Sequence, residues 1–576
     1  MFDNPRAGSP FEAIRRSDVL WLIAALLLLV ATGIGVREPW PADEPRFAAL
    51  ARDMAMGGEW LFPRIGGDLY QDKPPLYFWM LAAAYEVIGS VRWSFLIPSL
   101  LSAAGVLFLV YDMGRRLSGR QAGLLAALTL SCTVQFLTTM RSAQIDATLC
   151  LLTTLSLYSL LRHLLWGPAW GWYFLGGFAA GLGVITKGVG FLPILVLLLY
   201  WPMRHFKWQG LAPITPGGWR WALAPLAMLL GIFLWFVPML LTVASKGNPA
   251  YTAYRDEILF HQTVTRYAAA WHHHQPWHYF LVQVIPALWL PWSLLLFWLV
   301  PRWRDAWRAR DARVWLPLGW LLLLLLFFSL TPGKRSIYMN PALPALALAA
   351  TPFLVVLYQR RSVQRLSVAL AGLLIIGAVV FAGALLSGAH FARKAIQDAN
   401  LGSGWPLYLF LALSLAGVGA ALWRKPIAAW LAATAALAIT FSYAISPAMN
   451  PERSGAAFMH EVQAKLRPGE LLALVAYKEQ FLLYLERPTV NFGHRRWLEG
   501  PLEGYDASAW LDAAADRVLL VPKSSLHPCF EGSASRQAVG DSAGDDWYLV
   551  RGPASADCAT RGHVDRAISY DPRAAQ

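Results

Sequence analysis

A charged stretch at residues 37–77 interrupts a chain that is otherwise strongly apolar. It reads REPWPADEPRFAALARDMAMGGEWLFPRIGGDLYQDKPPLY and carries the acids Asp43 and Glu44 and the cations Arg46 and Lys73. A carboxylate can act as a general base, whereas arginine and lysine stabilise the charge of a phosphate. Because one loop supplies both kinds of group, we interpret it as the catalytic loop of a membrane enzyme.

These groups also have simpler roles that the sequence leaves open. Asp43 precedes a predicted helix, DEPRFAALARDM. Asp43 suits the N-cap position of this helix. Glu44 suits the positive end of the helix dipole, and Pro45 is tolerated in the first turn. Asp43 is therefore either a helix cap or a catalytic acid. Lys73 precedes two prolines, which restrict the backbone and direct the lysine, so that it either binds a phosphate or extends to the lipid headgroups.

Further ionisable residues recur near the ends of later apolar runs, far apart in sequence. They are Arg141, Asp146, Lys187, His261, Arg266, Lys334, Arg335 and Tyr338. Such groups are costly near the membrane unless they are paired or line a watery cavity, so we expect them to line a cavity at one membrane face. The segment GKRSIY at 333–338 adds two cations and a phenol, which can bind a lipid-linked phosphate or diphosphate.

Several of these residues have local alternatives. Asp146 can form an ion pair with Arg141, which contributes little at an exposed surface. Lys187, like Lys73, can bind a phosphate or extend to headgroups. The three histidines at 272–274 are expected to form a solvated turn, because consecutive side chains diverge too far to share a metal. The acids can bind a divalent cation, although no ligand spacing requires one.

The composition predicts a polytopic membrane protein. Of 576 residues, 57% are hydrophobic and only 15% are charged. Apolar runs of ~20 residues cross a bilayer as helices, and we count about thirteen. They lie near 19–36, 93–112, 121–139, 147–164, 171–186, 188–202, 219–243, 277–300, 314–331, 338–358, 365–388, 404–423 and 427–446. Leu76–Ile88 is shorter and is predicted to be a helix on the membrane surface.

Basic residues cluster in alternate loops, which sets the orientation. Excess lysine and arginine marks cytoplasmic loops, so the N-terminus is expected in the cytoplasm and the loops 37–92 and 244–276 outside it. An odd number of spans then places residues 447–576 outside as well. Within that region we predict a helix at 455–466 and strands at 471–477, 517–521 and 547–550. The expected fold class is an all-α polytopic membrane domain, 1–446, followed by a small α/β domain, 447–576.

Other function classes fit the sequence less well. The net charge of +14 comes from loop residues rather than from a basic face with interleaved aromatics, so no nucleic acid partner is expected. P-loop, Rossmann, HExxH and GxSxG motifs are absent from the sequence, which favours a donor that arrives through the membrane. Transporters often contain inverted repeats, and we find none. If the C-terminal region is extracytoplasmic, Cys529 and Cys558 can form a disulfide.

Five segments together resemble a known family. They are PADEPRFAALARDM, GEWLFPRIGGDLYQDKPPLYFW, RSAQIDATL, GLGVITKGVGFLPI and FFSLTPGKRSIYMNPALPALAL. Their order is similar to that in bacterial C-type (GT-C) glycosyltransferases of the protein O-mannosyltransferase-like superfamily, and within it to the lipid A aminoarabinose transferase group. The resemblance covers roughly residues 20–350. It implies the GT-C fold in the bacterial inner membrane, with the active site and the C-terminal domain in the periplasm.

The resemblance also implies an activity and a set of site residues. The family transfers a sugar, here 4-amino-4-deoxy-L-arabinose, from undecaprenyl phosphate to lipid A phosphate, which modifies lipopolysaccharide and gives resistance to cationic peptides such as polymyxin. We expect a monomer among membrane lipids. The candidate catalytic residues are Asp43, Asp146 and Glu44. The candidate phosphate-binding residues are Lys73, Arg46, Arg266, Arg335, Tyr338 and His261.

Three departures from the aminoarabinose transferase pattern leave the sugar and the acceptor open. Phe47 stands where that group has tyrosine, Asp72 stands where it has glutamate, and GKRSIY replaces GKLPTY. The alternative acceptor is a protein hydroxyl or another glycan. Asp43 would then act as general base, whereas an anionic lipid A phosphate would need Asp43 only for orientation.

Overall fold

The computed structural model describes residues 12–215, 218–259, 274–499, 501–526, 528–530, 535–554 and 566–572. The chain divides into two compact units. The helical unit consists of Met1–Ile34, Asp72–Tyr77 and Leu96–Ile445, and the mixed unit consists of Gly35–Gln71, Phe78–Phe95 and Ser446–Gln576. The charged loop therefore belongs mainly to the mixed unit, together with the C-terminal region, while its end with Lys73 belongs to the helical unit.

Long apolar helices make up most of the helical unit. Among the described residues, nine helices are long and apolar enough to cross a membrane. They are Val91–Ser118, Ile145–Trp166, Gly188–His205, Trp219–Lys246, Ala312–Leu330, Ser336–Gln359, Arg361–Leu386, Trp405–Arg424 and Pro426–Ala464. Many large apolar side chains of these helices are exposed, such as Leu241 and Leu386. Exposed apolar side chains at such density are expected where lipid replaces water as the solvent.

Two further predicted spans are pairs of helices that meet at a sharp bend. The pairs are Arg120–Ser131 with Val134–Met140, bent by 68°, and Phe280–Leu288 with Trp292–Arg308, bent by 111°. The second break contains Pro291, which has no backbone N–H to continue a helix. The backbone N–H of Val134 donates to the carbonyl oxygen of Leu290 at 3.2 Å. The two breaks thus satisfy each other's backbone groups, as an apolar surrounding requires.

The last two predicted spans are shorter helices. One is the α-helix Arg16–Ala25, continued by the π-helix Leu26–Ala31. The other is Trp170–Val184, with 15 residues. Every predicted span therefore coincides with a helix, but only nine to eleven in the described part of the chain have the length to cross a membrane. The predicted surface helix, Leu76–Ile88, is a helix of 13 residues.

A six-stranded sheet forms the core of the C-terminal region. The charged loop first contributes a two-stranded hairpin, β1 (Arg64–Ile65) and β2 (Asp68–Leu69). The six strands are β3 (Leu471–Leu474), β4 (Thr489–Asn491), β5 (Arg517–Pro522), β6 (Ser535–Ser542), β7 (Asp545–Arg551) and β8 (Ile568–Tyr570). Their order is β6-β7-β5-β3-β4-β8. β3 runs parallel to its neighbours β4 and β5, and the other pairs are antiparallel.

The predicted elements of this region are confirmed, and several were missed. The predicted helix is Ala456–Ala464, and the three predicted strands are β3, β5 and β7. β6 was missed because its sequence, SRQAVGDS, is polar and mostly exposed, and β4 and β8 because they have only three residues each. The remaining α-helices here are Ser446–Arg453, Glu479–Leu482 and Leu502–Asp512.

Three of the four cysteines lie within the described residues. Cys132 and Cys150 are buried free thiols. Cys529 takes part in a disulfide, and Cys558, its predicted partner, lies outside the described residues.

Glycines allow two helices of the helical unit to approach closely. A Cβ on Gly177 would lie 2.0 Å from the carbonyl oxygen of Ala224, and one on Gly181 would lie 2.2 Å from that of Met228. The helix Trp170–Val184 therefore packs its backbone directly against the helix Leu223–Lys246. Small residues at such contacts are a common basis of helix association in membranes.

We predict that Gly177→Ala lowers the thermal stability of the detergent-purified protein, because the added methyl group must displace backbone atoms. The expected cost is about 1–3 kcal/mol, as for other overpacked sites. The matched control is Gly171→Ala in the same helix, where an added Cβ meets no atom within 4 Å. Equal melting temperatures for the two variants would contradict the close packing of these helices.

Candidate active site

The helix that carries Glu44 and Arg46 begins where the sequence predicts it, and runs from Glu44 to Gly57. Asp43 occupies the N-cap position, but its side chain makes no capping hydrogen bond. Its Oδ1 lies 3.7 Å from Nη1 of Arg46, one turn along the helix, and its side chain is 18% exposed. The carboxylate thus interacts with a cation and keeps access to solvent, which favours the chemical role over the capping role.

Glu44, the second acid of the loop, is buried and fully occupied. Its two carboxylate oxygens accept hydrogen bonds from Arg37 at 2.5 and 2.6 Å, and the backbone N–H of Trp40 adds a third at 2.9 Å. The Arg37 guanidinium also stacks on the ring of Trp40. Glu44 therefore holds the start of the loop in place. The catalytic role expected for Glu44 from the sequence stays a prediction.

Arg46 pairs with residues from the C-terminal region. Its Nε donates to Oε1 of Glu479 at 2.9 Å, and His494 Nε2 lies 3.1 Å from the same oxygen. Burial opposes the charge of Arg46, but Glu479 and Tyr70 more than offset this and raise its pKa. Burial also opposes ionisation of Glu479, yet His494 and Arg46 lower its pKa to about 2. Arg46 and Glu479 therefore form a permanent ion pair.

A second cluster lies in the helical unit, around a cavity of about 180 Å³. Its polar lining consists of Asp72, Lys73, Lys187 and Tyr338. Lys73 Nζ donates to the backbone oxygen of Asp72 at 2.8 Å. Lys187 Nζ lies 2.7 Å from Oδ1 of the buried Asp146 and 4.6 Å from the centre of the Tyr338 ring. The rest of the lining is mainly apolar: Val184, Ile185, Ile232, Trp235, Phe236, Ile258 and Leu259.

The structure distributes the other predicted site residues unevenly. Asp146 pairs with Lys187, while Arg141 donates to Thr32 at 2.6 Å and to Ser442 at 2.7 Å. The local pair between Arg141 and Asp146 is therefore not the arrangement found. Arg335 is exposed, at the start of the short 3₁₀ helix Ser336–Met339, and does not line the cavity. The buried Lys334 ties the same segment to the backbone oxygens of Gln275 and Thr331. His261 and Arg266 lie outside the described residues.

Two partners of the site could not be identified from the sequence. Glu479 and His494 belong to ordinary polar segments of the C-terminal region, and neither lies in a recognisable motif. The sequence marked Lys187 as a candidate site residue because it is a lysine between two apolar runs. Its pairing with Asp146 could not be predicted from the sequence. In the described part of the chain, no group of three His, Cys, Asp or Glu side chains is arranged to hold a metal ion.

Comparison with known proteins gives relatives for most of the chain. Residues 72–241 match the family model described as dolichyl-phosphate-mannose-protein mannosyltransferase. An undecaprenyl phosphate-alpha-4-amino-4-deoxy-L-arabinose arabinosyl transferase from Pseudomonas aeruginosa strain UCBPP-PA14 is 33% identical over 431 residues, which cover 70% of this chain and 72% of the relative. The protein of that name from Pseudomonas paraeruginosa is 32% identical over 447 residues, covering 74% and 76%.

A solved structure shares the fold across nearly the whole chain. It is the crystal structure of ArnT from Cupriavidus metallidurans bound to undecaprenyl phosphate, with 22% identity and a TM-score of 0.69 over 96% of this chain and 100% of that one. The apo state of the same protein gives a TM-score of 0.67.

The helical architecture, the cation-lined cavity and these likenesses define a C-type membrane glycosyltransferase. At 33% identity over 72% of a relative's length, the chain belongs to the family of undecaprenyl phosphate-alpha-4-amino-4-deoxy-L-arabinose arabinosyl transferases.

We predict that the two neighbouring acids of the loop respond differently to loss of charge. Glu44→Gln removes the carboxylate charge that pairs with the buried Arg37 and is expected to cost about 3–5 kcal/mol, as when one partner of a buried pair is removed. Asp43→Asn should change the stability by less than about 0.5 kcal/mol, because the group is partly exposed. Thermal unfolding followed by tryptophan fluorescence measures both. Similar losses in the two variants would contradict the separate roles assigned to them.

Proposed function

We propose that this enzyme transfers 4-amino-4-deoxy-L-arabinose from undecaprenyl phosphate to a phosphate of lipid A. The observation that carries the proposal is the cavity lined by Lys73 and Lys187, whose remaining walls are largely apolar. Its family membership supplies the identity of the donor and of the sugar.

The lining of the cavity fits the head of a polyprenyl phosphate. Two ammonium groups attract the phosphate as point charges. The apolar side chains of Trp235 and Phe236 offer a surface for the adjoining isoprenoid units. The cavity is small, so it suits the phosphate and the first part of the lipid rather than its full length. A nucleotide sugar would need polar groups where these apolar walls stand.

The transfer breaks the bond between the sugar C1 and a donor phosphate oxygen, and that oxygen keeps the electron pair. An acceptor phosphate oxygen forms the new bond to C1. Lys73 and Lys187 stabilise the negative charge that develops on the departing lipid phosphate. Asp146 orients Lys187, since its carboxylate lies 2.7 Å from the ammonium.

The acceptor determines what Asp43 has to do. A lipid A phosphate is already anionic and can attack C1 without a strong base, so Asp43 then orients the acceptor or the cationic amine of the sugar. Arg46, beside Asp43, binds a phosphate of the donor or of the acceptor. A hydroxyl acceptor would instead require Asp43 as general base.

We place this reaction at the periplasmic face of the bacterial inner membrane. The support is the distribution of basic residues, since the arginine clusters fall in the loops opposite to the one that carries Asp43 and Lys73. The product is a lipopolysaccharide with added positive charge, which repels cationic peptides such as polymyxin.

We predict that Lys73→Met lowers kcat/KM by about 10²–10³-fold, the usual effect of removing one group that stabilises charge in a transition state. The assay combines purified enzyme, undecaprenyl phosphate aminoarabinose and lipid A, with product mass as the readout. Lys523→Met is the matched control, because Lys523 is an exposed residue that pairs only loosely, at 3.5 Å, with Asp546. Near-normal turnover of Lys73→Met would exclude Lys73 as a phosphate ligand.

Lys187 is tested with a compensated variant. Lys187→Met alone leaves the buried Asp146 without its partner, so a loss of activity could reflect misfolding. The double variant Asp146→Asn/Lys187→Met removes both charges and is expected to fold but to remain inactive.

Dephosphorylated lipid A and a protein acceptor serve as further arms of the assay. Transfer to either of them, and not to intact lipid A, would overturn the proposed acceptor.

A further inference from the structure

Four charged or titratable side chains of the mixed unit form a continuous chain of contacts. His494 lies 3.1 Å from Oε1 of Glu479, Nε of Arg46 donates to that oxygen at 2.9 Å, and Nη1 of Arg46 lies 3.7 Å from Asp43. Two of these groups belong to the loop and two to the C-terminal region. This series of contacts therefore connects the candidate catalytic acid, Asp43, with residues more than four hundred positions away in sequence.

Arg46 donates to Glu479 through Nε, and the choice of this nitrogen affects the orientation of the guanidinium. A guanidinium is planar and has five N–H donors in a fixed geometry, so a hydrogen bond at Nε restricts where the terminal nitrogens can lie. With Nε held by Glu479, the terminal nitrogens remain on the side where Asp43 lies. The same carboxylate oxygen is held by His494, whose backbone N–H donates to Asp68 in β2 at 3.2 Å. Glu479, which holds Arg46, is thus itself held by His494.

We propose that Glu479 is a positioning residue: supported by His494, it orients Arg46 and so sets the distance between the Arg46 guanidinium and Asp43. The C-terminal region then takes part in the reaction by fixing an arginine of the loop, without touching the substrate itself. This inference rests on the proposed function, in which Arg46 binds a phosphate.

A second ion pair of the same unit shows what a purely structural pair looks like. Glu470 accepts two hydrogen bonds from Arg551, at 2.6 and 2.9 Å, and both side chains are 9% exposed. Arg551 belongs to β7 and also contacts Gln537 of β6. In these contacts the pair reaches none of the candidate site residues. Glu470→Gln is therefore a matched control for Glu479→Gln, with the same chemical change in an arginine pair of similar burial.

The test compares kinetics and stability in the full-length purified enzyme. Glu479→Gln is expected to lower kcat and kcat/KM together by about tenfold, the pattern for an interaction that matters in the transition state. Its melting temperature should fall as well, because the change removes one partner of a largely buried ion pair. Glu479→Asp keeps the charge and should recover part of the lost rate. Glu470→Gln should also lower the melting temperature but should leave kcat normal. A Glu479→Gln enzyme that loses stability but keeps its kcat would overturn the inference.

A double-mutant cycle shows whether Glu479 acts through Arg46. In an Arg46→Lys background the planar fork is gone, so adding Glu479→Gln should change kcat by less than about twofold, because coupled residues are not additive. A full tenfold loss in that background would show that Glu479 acts by another route and would overturn the inference.

The proposed function and the positioning role of Glu479 predict different results for two variants. If Arg46→Ala turns over normally, Arg46 binds no phosphate and its role in the proposed function is wrong. If Arg46→Ala is inactive while Glu479→Gln is normal in both kcat and KM, the proposed function survives and only the positioning role of Glu479 is lost.

Discussion

A charge buried in an apolar surrounding needs a counter-charge, because removal from water costs several kcal/mol per ion. That constraint organises both clusters of this enzyme. In the helical unit, Asp146 neutralises Lys187. In the mixed unit, Glu44 neutralises Arg37 and Glu479 neutralises Arg46. Glu44 and Asp146, two candidate catalytic residues from the sequence, are therefore also counter-ions that hold a neighbouring cation in place.

The sequence was most informative where local pattern alone decides the structure. Apolar runs of spanning length predicted the helices, and the cap and turn residues around Asp43 predicted the start of the helix Glu44–Gly57. The short apolar run also predicted the short helix Leu76–Ile88. These features depend on neighbouring residues and on the preference of each segment for lipid or water. Both can be read from a single sequence.

Long-range partners could not be predicted in the same way. Nothing near Glu479 or His494 distinguishes them from other polar residues, since their role comes from where the sheet of the C-terminal region places them. The pairing of Asp146 with Lys187 likewise joins two helices, whereas the sequence suggested Arg141 because it is closer along the chain. Proximity in sequence is a poor guide to ion pairs once helices pack side by side.

The departures from the family pattern have a modest structural effect. Phe47 is buried and packs on Phe78, with ring centres 5.5 Å apart, so it contributes to the core of the mixed unit. Asp72 contacts Lys73 through its backbone oxygen, a contact that any residue at this position can make. The chain belongs to the family with both departures present.

The hydrogen bond between Val134 and Leu290 has a consequence for biosynthesis. The two breaks belong to helices that leave the ribosome at well-separated times, and the earlier break emerges first. Until the later helix pair arrives, the N–H of Val134 lacks the acceptor that it has in the finished enzyme. The first break therefore reaches its final hydrogen bonding only when the later helix pair is in place.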